Sequence, residues 1–199
     1  MKKTLSILFV IAVVIAACNN KKPKDGITIT SKDGKEQVTI DPATIKEAAA
    51  DMEKIKEELG NLTPLSADKL KAMVPEQLMG AAVSNNDVSD AGGAAVASGD
   101  YKVNDSSQVK LTIIDCAGPG GAGIYGLQYL GMLNVQQEDG SEINKTIDFK
   151  GAKAFEHCDK EANECSFTYF AGGRFLVTLE GENVSIDGLK QAAKGLDIK

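Results

Sequence analysis

A glycine loop over residues 118–123 has a spacing that could bind a phosphate group. Gly118, Gly120 and Gly123 have the G-x-G-x-x-G spacing of a loop that cradles a dinucleotide pyrophosphate. The sequence after the loop, however, predicts a series of hairpins, whereas a dinucleotide fold needs parallel strands joined by helices. We therefore interpret these glycines as a tight turn, with a ligand loop as the alternative, and we predict no cofactor.

Two titratable side chains near predicted strands are candidates for a catalytic role. Asp115 lies on the apolar side of a predicted strand over 108–115, and we expect its carboxylate to accept backbone N–H bonds from the following turn. The alternative is a buried functional acid. His157 is the one histidine of the chain, and we expect it to be structural. Since no nucleophile motif or distinctive pair of carboxylates accompanies them, the sequence predicts no enzyme.

The cysteines predict one disulfide and no metal site. Cys158 and Cys165 flank a polar DKEANE segment between two predicted antiparallel strands, so they are expected to form a disulfide across a hairpin. Their spacing is not that of a zinc knuckle. Cys116 is interpreted as a small buried hydrophobic residue at a strand end, with a reactive thiol as the alternative.

The amino terminus has the pattern of a bacterial lipoprotein. Residues 1–17 combine two lysines with an apolar run that is too short to span a bilayer, which is typical of a signal peptide. Residues 15–18 resemble the lipobox, and this resemblance implies a cleaved chain that begins with a lipid-modified Cys18 carrying palmitate. Asn19 is not the aspartate of the inner-membrane retention signal. The expected location is therefore the outer membrane, with a periplasm-facing domain.

Charge and length narrow the choice of partners and domains. The chain has 22 basic and 28 acidic residues, and its net charge of −6 becomes more negative when residues 1–17 are removed. Such an acidic domain has no electrostatic footprint for nucleic acid. Residues 18–26 are polar and predict a flexible tether. The hairpin and helix over 27–60 are expected to form one domain with residues 61–199.

The pattern of the remaining elements predicts an α+β fold. A hairpin is predicted over 27–40, with its turn at Asp33-Gly34, and an amphipathic helix over 42–59. The region after residue 81 reads as six to seven strands, and the stretch 134–142 as a polar turn. We expect an antiparallel β-sheet of about six to seven strands with helices packed on one face.

Three short patterns lie within about residues 65–198. They are Leu70, Lys71 and Pro75, then Ile113, Asp115 and Gly118, and then Arg174 to Val177. With these patterns the segment resembles a group of uncharacterised exported bacterial proteins and lipoproteins, and its last strand and helix resemble antiparallel α/β/α sandwiches of the PsbP/Mog1 type. The resemblance implies no particular activity.

Three functional classes follow, and each predicts a different structure. The first is a membrane-tethered periplasmic lipoprotein that acts through protein contacts in the cell envelope, for which we expect a closed core. The second is a small-ligand or lipid-binding module with an apolar pocket of several hundred cubic ångströms between the sheet and the 124–133 segment. The third is an enzyme in which Asp115 and His157 meet in one cleft.

Overall fold

The computed structural model describes residues 27–30, 37–40, 42–131 and 136–199. The chain divides into one compact unit that ends at Ile45 and another that begins at Lys46. The predicted signal peptide, Cys18, the predicted tether and the predicted Asp33-Gly34 turn lie outside the described residues. Among the residues that are described, no helix has the length and apolar character needed to cross a bilayer.

The first unit contains the predicted pair of short strands. Strand β1 (Ile27–Thr30) is antiparallel to β2 (Gln37–Ile40), and Ile27 lies opposite Ile40. Both strands alternate apolar and polar residues, which is the pattern that predicts a hairpin. The strand pairing predicted from the sequence is therefore confirmed.

The second unit contains most of helix α1, the later helices and a sheet. Helix α1 (Pro42–Gly60) starts before the boundary between the units, and its first residue is a proline, whose fixed φ suits the first turn of a helix. The elements that follow it in chain order are α2 (Ala67–Lys71), β3 (Gln77–Leu78), β4 (Ala81–Ala91), β5 (Ala94–Lys102), β6 (Gln108–Asp115), α3 (Gly118–Gly131), β7 (Gln136–Asp139), β8 (Glu142–Phe149), β9 (Ala152–Asp159), β10 (Glu164–Ala171), β11 (Phe175–Glu182) and α4 (Ile186–Gly195).

The sheet is antiparallel, as predicted, but it has more strands than expected. Within the described residues its order is β3-β4-β5-β6-β11-β10-β9-β8-β7, which makes nine strands when the two-residue β3 is counted. The count of six to seven was wrong because it left out β3 and β7. Strand β7 is polar and lies at the sheet edge, where the backbone pairs with β8 without an apolar face that a sequence pattern could reveal.

The helices lie on both faces of the sheet, so the expectation of one covered face was wrong. Leu70 of α2 and Leu189 of α4 pack in one core with Val177 of β11. Met52 of α1 packs in a second core with Leu176, the neighbour of Val177. Successive side chains of a strand point to opposite faces, so a continuous apolar run such as the start of β11 requires cover on both.

Candidate functional site

A cleft of about 360 Å³ opens between α1, α3 and the sheet. Its floor is formed by Phe170 of β10 and Leu176 of β11, and its walls by Ile55 of α1 and by Tyr125 and Tyr129 of α3. The mouth is lined by charged side chains and by the turn between β8 and β9. These mouth residues are Asp51, Lys54 and Glu58 of α1, with Gly151, Ala152 and Lys153.

Helical spacing places the lining residues on two facing surfaces. Residues three, four and seven positions apart share one side of a helix, so α1 presents its charged mouth residues together with Ile55. In α3, Tyr125 and Tyr129 are four residues apart and also share a side. Gly126 lies against α1, because a Cβ atom there would be 2.9 Å from Cδ of Lys56. The missing side chain therefore allows the two helices to approach closely.

Three aromatic rings form one contact cluster in this cleft. The ring of Tyr125 lies 4.6 Å from that of Phe170 and 5.6 Å from that of Tyr129, measured between centroids, with tilted planes. Tyr125 is buried, while the other two side chains are half-buried. Offset or tilted rings at these distances attract each other beyond the effect of burial. The cluster therefore makes the aromatic wall of the cleft a preformed surface.

The polar groups around the rings leave the tyrosine hydroxyls neutral. Burial raises the pKa of Tyr125 and of Tyr129, and the nearby carboxylate of Asp51 raises both further. The ammonium of Lys153 acts in the opposite direction on Tyr129, but it also lies 2.8 Å from the carboxylate of Asp148. At neutral pH the cleft thus offers phenol hydroxyls rather than phenolates.

Asp115 lies outside this cleft, in a buried ion pair at the end of the sheet. Its two carboxylate oxygens accept hydrogen bonds from Nε and Nη2 of Arg174, both at 2.8 Å, and the side chain is fully buried. The backbone N–H groups of Leu65 and Ala117 also donate to it, at 2.7 and 3.1 Å. Burial favours the neutral acid, but the hydrogen bonds from Arg174, Leu65 and Ala117 lower the pKa of Asp115 below 3.8.

The Asp115–Arg174 pair has a structural position. Nη2 of Arg174 also donates to the carbonyl oxygen of Thr63 at 2.8 Å. The pair therefore holds the segment between α1 and α2 against the end of the sheet. From the sequence, Arg174 was identified only as part of a family pattern. The signal for the pairing was the presence of a single arginine in a chain that also places a carboxylate on an apolar strand face.

The glycine loop approaches protein backbone closely. Gly118 has φ 76°, in the left-handed region that favours glycine. A Cβ atom on Gly120 would lie 2.6 Å from the carbonyl oxygen of Gly92, whereas one on Gly123 would meet nothing within 4 Å. The start of α3 thus packs directly on the β4–β5 turn. The strands beside β6 are antiparallel to it, so the parallel unit of a dinucleotide fold is not formed there.

His157 and Asp115 do not meet. Nδ1 of His157 lies 2.9 Å from Oδ1 of Asn144, in a polar row of the sheet. In the sheet register His157 pairs with Ser166, which in turn pairs with Glu180 near the end of β11. Asp115 pairs with Phe175, the first residue of β11. The cleft that an enzyme using both residues would need is therefore not present in the structure.

The cysteines occupy two different environments. Cys158 and Cys165 lie opposite each other on β9 and β10 and form a disulfide, with their Cα atoms 4.1 Å apart, so the predicted pairing is confirmed. Cys116 is a buried free thiol, and burial raises its pKa to about 12. A thiol with that pKa is a poor nucleophile at neutral pH.

A second concave surface covers the half of the sheet that α1 and α3 leave open. It encloses about 1010 Å³ and is lined by polar side chains, which include five carboxylates and two lysines. Across the strands, one row of this surface consists of Asp100, Lys110, Glu180, Ser166 and His157.

Metal ligands and known relatives give no further assignment. In the described part of the chain, no group of three or more His, Cys, Asp or Glu residues is placed to hold a metal ion. Comparison with family models, curated proteins and solved structures finds no match to this chain.

Proposed function

We propose that the unit beginning at Lys46 binds a small, mostly apolar molecule in the cleft between α1, α3 and the sheet. The observation that carries this proposal is the aromatic lining of a cavity of about 360 Å³. Ligand sites typically enclose about 300–1,000 Å³ and combine apolar walls with a few polar groups. A dry cavity of about 150 Å³ is enough for benzene, so this cleft has room for a ring with a substituent. The proposed action is binding rather than catalysis.

A neutral fluorescent probe tests this proposal. N-phenylnaphthylamine should give a saturable rise in fluorescence with the full chain reconstituted in nanodiscs, measured against empty nanodiscs. Ile55→Trp places an indole in the cleft and should weaken that rise, because it takes up part of the volume. Glu57→Trp places the same group on the exposed side of α1, outside the cleft lining, and should leave it unchanged. Equal binding by the two variants would contradict the proposal.

We further propose that this unit is held at a membrane of the bacterial cell envelope through diacylated Cys18. The support is the signal-peptide pattern of residues 1–17 and the small residues before the cysteine. Two acyl chains are sufficient for stable anchoring, and the outer membrane is the proposed location because Asn19 replaces the retention aspartate. The intact mass of the natural protein should be that of a chain beginning at Cys18 with acyl chains added, whereas Cys18→Ser should lack the acyl mass and keep residues 1–17. A natural protein without added acyl mass would contradict the anchor.

The second candidate function is contact with a protein partner in the envelope. It is favoured by the open polar half of the sheet, which presents a concave surface of about 1010 Å³. A photocrosslinking residue at Ser166, on that surface, should give a discrete crosslinked product in cell membranes. The same residue at Gln191, an exposed position of α4, serves as the control. Identical products from both positions would argue against a specific contact.

A further inference from the structure

The charged groups at the mouth of the cleft do not cancel. Lys153 is offset by Asp148, whose Oδ1 lies 2.8 Å from its Nζ. Asp51, Lys54 and Glu58 remain, and within the described residues none of these three is in an ion pair. Two carboxylates and one ammonium therefore line the α1 side of the entrance. A cation entering the cleft is attracted by this balance, whereas an anion is repelled.

The aromatic rings of the cleft also attract a cation. Ring faces carry negative electrostatic potential, and a cation within about 6 Å of a ring centroid is stabilised by it. Tyr125, Tyr129 and Phe170 all line the cleft, and their centroid distances of 4.6 and 5.6 Å show that the ring of Tyr125 contacts the other two. The phenol hydroxyls stay neutral, so they do not alter the charge of the site.

The lining of the cleft favours an organic cation over a metal ion. A hydrated metal ion cannot use an apolar floor, and the described residues offer no metal-ligand cluster. An ammonium group attached to an apolar body can use both parts, because its body lies against Ile55 and Leu176 while its charge faces the rings and carboxylates.

We propose that the ligand of this cleft is a free organic cation, a substituted ammonium joined to an apolar body about the size of one ring. The inference rests on the proposed function and names the chemical class of its ligand. A whole phospholipid is much larger than the cleft, so the proposal commits to a free small molecule rather than a lipid headgroup.

The test compares three probes of similar shape. Benzyltrimethylammonium, its neutral carbon isostere neopentylbenzene and the anion benzenesulfonate each displace N-phenylnaphthylamine from the full chain in phosphatidylglycerol nanodiscs, with empty nanodiscs as the blank. The cation should bind about 5-fold to 30-fold more tightly than the isostere, which corresponds to a cation–π attraction of about 1–2 kcal/mol. The anion should bind most weakly.

Two matched variants identify the groups responsible. Asp51→Asn should weaken binding of the cation about 2-fold to 5-fold and leave the isostere unchanged, because it removes one charge at the mouth. Glu57→Gln removes the same charge from the side of α1 outside the cleft lining and should change neither probe. Equal effects of the two variants would overturn the inference, since the attraction would then come from net charge alone.

The remaining outcomes distinguish this inference from the proposed function. If the isostere binds as tightly as the cation, the organic-cation assignment fails and small-molecule binding stands. If neither these probes nor N-phenylnaphthylamine binds, the proposed function fails as well. If phosphatidylcholine in the nanodisc displaces the cation, the free-molecule assignment is wrong and the site binds a lipid headgroup.

Discussion

Replacing Arg174 by Met should cost a large part of the stability of this protein. The guanidinium group donates two hydrogen bonds of 2.8 Å to the fully buried carboxylate of Asp115. In the natural protein the guanidinium carbon of Arg174 lies 5.5 Å from the ring centroid of Phe175. Methionine keeps most of the apolar stem of arginine, but it leaves the carboxylate of Asp115 without its counter-charge. The substitution therefore isolates the charge from the packing.

The expected loss is about 3–5 kcal/mol in the free energy of unfolding, which is the usual cost of orphaning a buried charge. Stabilities of whole domains are about 5–15 kcal/mol, so the loss should be obvious in urea denaturation followed by circular dichroism. As a control, Lys160→Met removes an exposed pair with Glu138 and should cost less than about 1 kcal/mol. A loss of that small size for Arg174→Met would refute the structural role of the pair.

The pH dependence of unfolding gives an independent check. In the natural protein the pKa of Asp115 is lowered below 3.8, so its stabilisation is present above that value and is lost as the pH falls through the folded-state pKa. Without Arg174, burial should dominate and raise that pKa, so the deficit of the variant should shrink as the pH falls from 7 towards 4. Adding Asp115→Asn should recover much of the loss at pH 7, because no buried charge then remains.

Three further predictions concern the loop and the cysteines. Gly120→Ala should destabilise the protein by about 1–3 kcal/mol, because its Cβ atom would clash with the β4–β5 turn. Gly123→Ala, in open space within α3, should stabilise it by about 0.5–1 kcal/mol. Thermal unfolding compares the two variants, and equal effects would contradict the packing of α3 on that turn. The mass of the denatured, unreduced protein should be two hydrogens below that of the thiol form. Replacing Cys158 and Cys165 by Ser should lower the free energy of unfolding in urea by about 2–3 kcal/mol, and an unchanged stability would be inconsistent with the disulfide. Native Cys116 should resist alkylation by iodoacetamide at pH 8 and react only after unfolding, and rapid labelling of the folded protein would show that the thiol is accessible.

The sequence predicted those parts of the fold that depend on local patterns. Alternating residues and an Asp-Gly pair predicted the β1–β2 pairing, and the polar segment between Cys158 and Cys165 predicted their disulfide. Strand β7 was missed because edge strands are specified by backbone pairing. The second helical layer was missed although Leu176 and Val177 are consecutive apolar residues, which is a sign that both faces of a strand are covered.

The candidate site was predicted only as a region. Sequence analysis expected a pocket against the 124–133 segment, and Tyr125 and Tyr129 of α3 do line the cleft. Leu127, in the same segment, is 75% exposed and points away. The residues contributed by α1 could not be predicted, because the contact between α1 and α3 depends on how distant parts of the chain pack. The chain has only ten aromatic residues, six Phe and four Tyr, yet the fold brings three of these rings together from α3 and β10.

Native mass spectrometry of the full chain, released from nanodiscs and compared with its denatured mass, shows directly whether the cleft holds a small molecule. Added benzyltrimethylammonium should be retained at one equivalent by the natural protein and by Glu57→Trp, and should be lost on denaturation. Ile55→Trp should retain less, because the indole occupies part of the cleft. Retention of the same amount by Ile55→Trp, or of none by any form, would contradict the claim that this cleft is a binding site.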